Sequence, residues 1–191
     1  DPILIAQRHV ADSLAALPVL RNGPTDGLID IGSGAGFPGL PIAAVMPWPV
    51  TVVDSVGKKA AFLRAAADAM GLGDRVDVRN ARAETLERAS ADIVTARAVG
   101  SLADLIEVGL PLLRPGGRLV AWKRGDIREE IAAAGRAARA LGGSVPRWQP
   151  HPEGVTRAAD LAGHGVVVVT RVGNPPAGYP RDPATRKRRP W

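Results

Sequence analysis

The sequence predicts an α/β fold: a mostly parallel seven-stranded sheet with helices on both faces and an antiparallel hairpin at its C-terminal end. Three observations predict it. Short apolar, β-branched runs recur along the chain, as in strands buried on both faces; segments with helical spacing separate them, implying right-handed crossovers; and residues 144–172 read as two strands without a clear helix between them.

The strand candidates are 28–31, 50–54, 76–79, 93–96, 119–123 and 165–172, with the seventh strand inside 144–164. A helix over 3–17 opens the chain and is expected to stop at Pro18. A second helix follows the glycine-rich turn after the first strand. The spacing over 58–70 sets Ala61, Phe62, Ala65, Ala66 and Ala69 on one face, with Gly71 as the stop. Residues 128–141 behave similarly and end in Gly142 and Gly143. The domain reading is one folded unit over 1–173 with an N-terminal helix, followed by a basic, proline-rich tail over 174–191.

Composition narrows the chemistry. The 191 residues are 46% apolar, enough for one substantial core. Cysteine is absent, which excludes disulfides, thiolate metal sites and a cysteine nucleophile. No signal-peptide pattern opens the sequence and the longest purely apolar run is far shorter than the ~20 residues of a span. The expectation is therefore a soluble cytoplasmic protein with no membrane partner. Of the net charge of +6, residues 171–191 carry six basic side chains against Asp182 alone, which leaves +1 for the rest. Such a tail suits either a polyanionic partner or simple solvation.

The stretch "DIGSGAGFPG" from Asp30 puts Gly32, Gly34, Gly36 and Gly39 directly after the first strand. In an open α/β sheet that turn is where a cofactor meets bare backbone. Gly34, Gly36 and Gly39 also spell G-x-G-x-x-G, so a nicotinamide or flavin oxidoreductase is one reading. Asp30 argues against it, because a carboxylate beside the turn repels a pyrophosphate and suits a cationic donor such as S-adenosylmethionine. Asp54 ends the second strand ~20 residues on, at the place where a carboxylate binds ribose hydroxyls in either cofactor. The plainer alternatives are a tight glycine turn and an Asp54–Ser55 helix cap. The loop reading gives Asp30, Gly32, Gly34, Gly36, Asp54 and Ser55 as cofactor-binding residues.

Several motifs stand in a telling order: "RHVADSL" from Arg8, "DIGSGAGFPGLPIA" from Asp30, "VDSVGKKAAFLR" from Val53, "ARAE" from Ala81, "TARAV" from Thr95, "AWKRG" from Ala121 and "YPRDPA" from Tyr179. Together they closely resemble the ribosomal RNA small subunit methyltransferase G family, also called glucose-inhibited division protein B, over nearly the whole chain. The resemblance implies a class I, Rossmann-like, S-adenosylmethionine-dependent enzyme that methylates N7 of a guanine in 16S ribosomal RNA, in the decoding region. By motif position it adds Phe37, Ala83, Glu84 and Arg97 to Gly32 as cofactor contacts. Phe37 is expected to cover a face of the cofactor and the Ala83–Glu84 backbone to meet the adenine. Two departures stand out: the sequence begins at Asp1 rather than Met, without most of the helical segment that precedes "RH" in relatives, and His164 stands near a position where many relatives carry arginine.

Methyl transfer to a ring nitrogen with a free lone pair needs in-line placement more than acid or base help. Guanine N7 is such an acceptor. The chain has "ARAV" where amine methyltransferases carry Asn or Asp with Pro-Pro-aromatic, and it has no cysteine to activate a pyrimidine carbon. Arg97 and Lys123 are therefore assigned to the catalytic site as groups that fix the base or its phosphates, not as proton carriers. Arg8, His9, Lys123 and Arg181 form the RNA-binding set, with "TRKRRP" after Arg181 as a backbone clamp. Seven aromatic residues are too few for an extended stacking platform. His151 and His164 show no metal spacing, and no metal is expected. A monomer is expected. Apart from the oxidoreductase, the competing class is a non-catalytic RNA-binding or ribosome-assembly protein, which has no need of the intact glycine loop.

Overall fold

A computed structural model describes residues 1–23 and 25–191. Its strands are β1 (Leu28–Ile31), β2 (Val50–Asp54), β3 (Val76–Asn80), β4 (Ala91–Arg97), β5 (Leu113–Arg124), β6 (Arg147–Pro150) and β7 (His164–Thr170). They lie in the order β3-β2-β1-β4-β5-β7-β6. β1 through β5 pair in parallel, and β7 runs antiparallel to both β5 and β6. From β1 the chain winds outward to β3 and then returns to β4 on the other side. The loops leaving β1 and β4 therefore diverge, which opens a crevice at the carboxyl ends of the strands.

The helices are α1 (Pro2–Leu20), α2 (Gly39–Val45), α3 (Gly57–Ala69), α4 (Leu102–Leu112), α5 (Arg128–Ala140), α6 (Glu153–Ala158) and α7 (Pro183–Arg188), with a 3₁₀ turn at Ala83–Thr85. Alternate residues of β4 divide the core: Val94 joins Ile106, Leu110, Leu119 and Leu141 on the α4–α5 face, whereas Ile93 joins Leu20, Ile42, Val52 and Leu63 on the other. Each fully buried Leu or Ile contributes about 1.5–3 kcal/mol of transfer free energy, so both layers clamp the central strands.

Four local expectations change. Helix α1 continues past Pro18 to Leu20, because the chain loosens at Ala16 (ψ −2°) and Pro18 falls in the first turn of a new helical segment, where its missing N–H has no consequence. α1 is long and apolar enough to cross a membrane by length and composition alone; it buries Asp12 and Ser13 against the domain. The face that α3 buries is Ala60, Leu63 and Ala67, and Phe62 stays 54% exposed, because Leu63 rather than the alanines finds the β2 side of the core. A six-residue helix, α6, sits between the two hairpin strands, too short to impose a readable period and hidden by Pro152 and Gly154. The tail also contains a helix, α7, started by Asp182, whose side chain accepts the Thr185 N–H, and by Pro183 in the first turn.

Candidate functional site

The crevice holds two cavities. The first, of about 680 Å³, opens where β1, β2 and β4 end and is lined by Gly32, Asp54, Ser55, Ala83, Glu84 and Val99 among others. Asp54 ties its walls together: Oδ2 accepts the Gly34 N–H at 3.0 Å and Oδ1 the Val56 N–H at 2.9 Å. Asn80 Nδ2 donates to the Asp54 carbonyl at 3.0 Å. Ser33 completes the stitch, with Oγ donating to the Asp30 carbonyl at 2.8 Å and accepting the Val53 N–H at 3.1 Å. Gly34 is in the left-handed region (φ +58°), and a Cβ there would meet only the Gly32 carbonyl at 3.8 Å, so the loop presents bare backbone to open space.

Of the residues expected to hold a cofactor, Gly32, Asp54, Ser55, Ala83 and Glu84 line this cleft. Gly34 borders it through its bond to Asp54, and the others stand elsewhere. Asp30 is wholly buried beneath the loop: Oδ1 accepts the Thr95 hydroxyl at 2.7 Å and Oδ2 the Gly39 N–H at 3.2 Å. Burial pushes its carboxyl from 3.8 up to about 6, against the hydrogen bonds from Thr95, Ser33 and Gly39. It holds the loop to β4 and acts on a bound cation only through its field. Gly36 is required by packing, since a Cβ would lie 2.5 Å from Leu40 Cδ1. Phe37 lies against His9 (ring centroids 5.2 Å apart) and under the Arg97 guanidinium, 5.1 Å from the ring centre, so it backs two residues that line the second cavity.

That second cavity, of about 700 Å³, brings together Arg8, His9, Arg97 and Lys123 from the sequence-derived set. Arg97 lines this cavity rather than the first. Its Nη1 donates to Asp12 Oδ2 at 2.9 Å and Nη2 to His9 Nδ1 at 3.2 Å. The Asp12 carboxylate is a hub, because Oδ1 also accepts His151 Nε2 at 2.9 Å and His164 Nδ1 at 3.1 Å. Burial raises the Asp12 pKa, but the bonds from His151, His164 and Arg97 outweigh it and hold the carboxyl below its usual 3.8. Lys123 Nζ pairs with Glu130 Oε1 at 2.7 Å. Both cavities share Ala98, Val99 and Leu105. Ala98 turns left-handed (φ +58°) straight after Arg97, and this bend sets the shared wall.

The tail is docked. Glu107, fully buried on α4, accepts Arg181 Nη2 at 2.6 Å, the Arg181 backbone N–H at 2.7 Å and Trp191 Nε1 at 2.6 Å. Arg181 Nη1 donates to the Arg189 carbonyl at 2.9 Å, and the guanidinium lies beside the stacked Tyr179 and Trp191 rings, 5.7 and 5.0 Å from their centres. Arg181, expected from its sequence position to contact RNA, is here an internal anchor, with Nε, Nη1 and Nη2 each bonded within the chain. Arg186 pairs with Glu84, so α7 closes one side of the first cavity, while Lys187, Arg188 and Arg189 stay exposed.

Sequence reasoning missed the roles of Asp12, Glu107 and Glu130. Glu107 carried a signal, a lone acid inside the apolar run "LIEVGL"; Asp12 carried none, because its partners come from distant elements, and Glu130 reads as an ordinary first-turn acid of a helix. Among the described residues, no cluster of His, Cys, Asp and Glu has a metal-binding arrangement.

The first cavity suits S-adenosylmethionine: a carboxylate and a hydroxyl side chain at the end of β2, open glycine backbone at the end of β1, and a buried acid under the loop. Fold and cleft define a class I S-adenosylmethionine-dependent methyltransferase. Solved structures agree on the fold: an S-adenosylmethionine-dependent O-methyltransferase from Thermotoga maritima superposes with a TM-score of 0.64 at 15% identity, covering 86% of this chain and 66% of that one. A geranyl diphosphate methyltransferase in complex with S-adenosylmethionine gives 0.59 at 18%, covering 84% of each chain. The chain belongs to the rRNA small subunit methyltransferase G family, whose model matches residues 1–149. Ribosomal RNA small subunit methyltransferase G of Chloroflexus aggregans is 43% identical over all of this chain and 79% of its own length. The protein of that name from Roseiflexus sp. is 44% identical over 97% of this chain and 79% of its own length.

Proposed function

We propose that this enzyme transfers the methyl group of S-adenosylmethionine to N7 of a guanine in 16S ribosomal RNA. The observation that carries the proposal is the pair of adjoining cavities, one suited to the cofactor and one lined by Arg8, His9, Arg97 and Lys123, meeting at Ala98 and Val99. When bound, the cofactor supplies an electrophilic methyl group. The protein's part is placement. Asp54 and Ser55 receive ribose hydroxyls, and the backbone at Ala83 and Glu84 meets the adenine. Gly34 leaves room for the methionine end, and Gly32 lets Val99 pack against the loop. Arg97, braced by Asp12 and Phe37, and Lys123 then hold the acceptor base and its phosphates so that a ring nitrogen meets the methyl in line. Guanine N7 has a free lone pair, so the site requires no proton acceptor. Family membership supports a small-subunit rRNA substrate and action in the bacterial cytoplasm, and we read the protein as a monomer. Functionally, residues 1–173 form the methyltransferase domain. Residues 174–191 form a tail that contributes Pro183, Arg186 and Lys187 to the cofactor cleft and offers its outer basic residues to RNA.

The test is incubation with tritiated cofactor and either 16S RNA or 30S particles, with the product mapped by nuclease digestion and mass spectrometry. The expected product is 7-methylguanosine, and Arg97→Ala is expected to abolish its formation while cofactor binding persists. Label on another atom, or wild-type turnover in Arg97→Ala, would overturn the assignment.

A further inference from the structure

Beyond fixing the base, the second cavity has the means to choose it. Glu130, in the first turn of α5, accepts the Leu102 N–H and the Lys123 ammonium on the same oxygen, Oε1, at 2.7 Å each. Among the described residues, Oε2 accepts no hydrogen bond. Lys123 is 15% exposed and Glu130 32%, and both face the cavity, whose apolar walls include Ile127 and Leu161. The wall therefore offers, side by side, a cation with donors to spare and a carboxylate oxygen ready to accept.

We infer that Glu130, paired with Lys123, is the residue that specifies guanine, accepting N1–H and the N2 amino group while Lys123 donates to O6. This rests on the guanine-N7 reading above. The chemistry of the bases supports it. A base whose N7 points at the shared wall of Ala98 and Val99 turns its six-membered-ring edge away from the cofactor. Guanine presents there an acceptor followed by donors, which matches an ammonium followed by a carboxylate. Adenine also has N7, but its edge reads donor then acceptor and meets both groups wrongly. Uracil reads acceptor then donor but has no N7 to methylate. The dyad together with the position of the methyl group accepts guanine alone. Leu102 N–H fixes the Glu130 carboxylate, so the rejection of adenine rests on a preorganised group and leaves unpaired polar atoms buried when the wrong base enters.

The experiment uses the full chain and 16S RNA bearing either guanosine or inosine at the mapped target, introduced by splinted ligation. Inosine lacks only the N2 amino group. The wild type is expected to show a kcat/KM lower by about tenfold on inosine RNA. Glu130→Gln keeps a carbonyl for Leu102 and loses the acceptor, so its kcat/KM on guanosine RNA is expected to fall about 5- to 150-fold. In that variant the inosine penalty disappears. A purely structural role for Glu130 would lower both substrates equally and leave the penalty intact, which overturns the inference. If Glu130→Gln fails to bind cofactor, Glu130→Asp takes its place, and a wild type indifferent to inosine overturns the inference on its own. An enzyme that places no methyl on N7 of guanosine RNA refutes instead the functional reading beneath it.

Discussion

Replacing Asp30 by Asn changes a charge while leaving the shape of the loop anchor intact. The carboxylate is wholly buried and accepts one bond from Thr95 and one from the Gly39 N–H. An amide preserves both, since its oxygen serves Gly39 and its NH₂ serves the Thr95 oxygen. Burial raises the folded-state pKa to about 6 from 3.8. The folded state thus binds this proton more tightly than the unfolded chain does. The stabilisation is complete below the unfolded value and is lost as pH rises through about 6. At 1.36 kcal/mol per unit the whole shift is worth about 3 kcal/mol, of which about 2 kcal/mol falls between about pH 4.5 and pH 8. The variant lacks this dependence. Urea unfolding across that range should therefore show Asp30→Asn gaining on the wild type by about 2 kcal/mol toward alkaline pH, whatever fixed offset the substitution brings. Calorimetric titration at about pH 8 should at the same time show weaker S-adenosylmethionine binding, because the negative field under the loop is gone. A stability difference that stays flat with pH would refute the reasoning.

Other outcomes follow from the same geometry. Gly34→Ala puts a left-handed alanine into open space, so it should lower stability by only about 1 kcal/mol while weakening cofactor binding at least about tenfold. Gly36→Ala drives a methyl group into Leu40 and should reverse that balance, with a loss of about 1–3 kcal/mol seen in thermal unfolding. Glu107→Ala leaves Arg181 and Trp191 without their buried acceptor; a loss of about 3 kcal/mol and rapid tryptic cutting of the tail are expected, and a tail that stays protected would contradict its anchoring role. Deleting residues 174–191 should raise the cofactor Kd as well as flatten the salt dependence of RNA binding, because α7 walls the first cavity; an unchanged cofactor Kd would show that wall to be dispensable.

Local pattern carried much of the fold. The buried strands β1, β2 and β4 were legible because a strand covered on both faces reads as a continuous apolar run, and Asp54 was legible because its place follows from the turn that precedes it. The face of α3 was not: alanines satisfy any face, and only the sheet decides that Leu63 goes inward. Arg97 was expected both at the cofactor and at the acceptor base, and it lines the second cavity, with Phe37 packed beside it; a sequence cannot tell which side of the Ala98 bend a side chain takes. The anchoring of Arg181 was hidden for a related reason. A basic tail reads as surface, and the buried acid that claims this arginine lies 74 positions away on α4. The hub on Asp12 unites α1, β4, β7 and the turn after β6, which no local window samples.

The two cavities that meet at Ala98 and Val99 are expected to hold different molecules. A crystal structure with S-adenosylhomocysteine tests this most directly. The adenosine should lie between Asp54 and the Ala83–Glu84 turn, with the sulfur at the shared wall facing Arg97 and Lys123. A sulfur turned away from that wall, or the ligand seated among Arg97, His164 and Glu130, would contradict it.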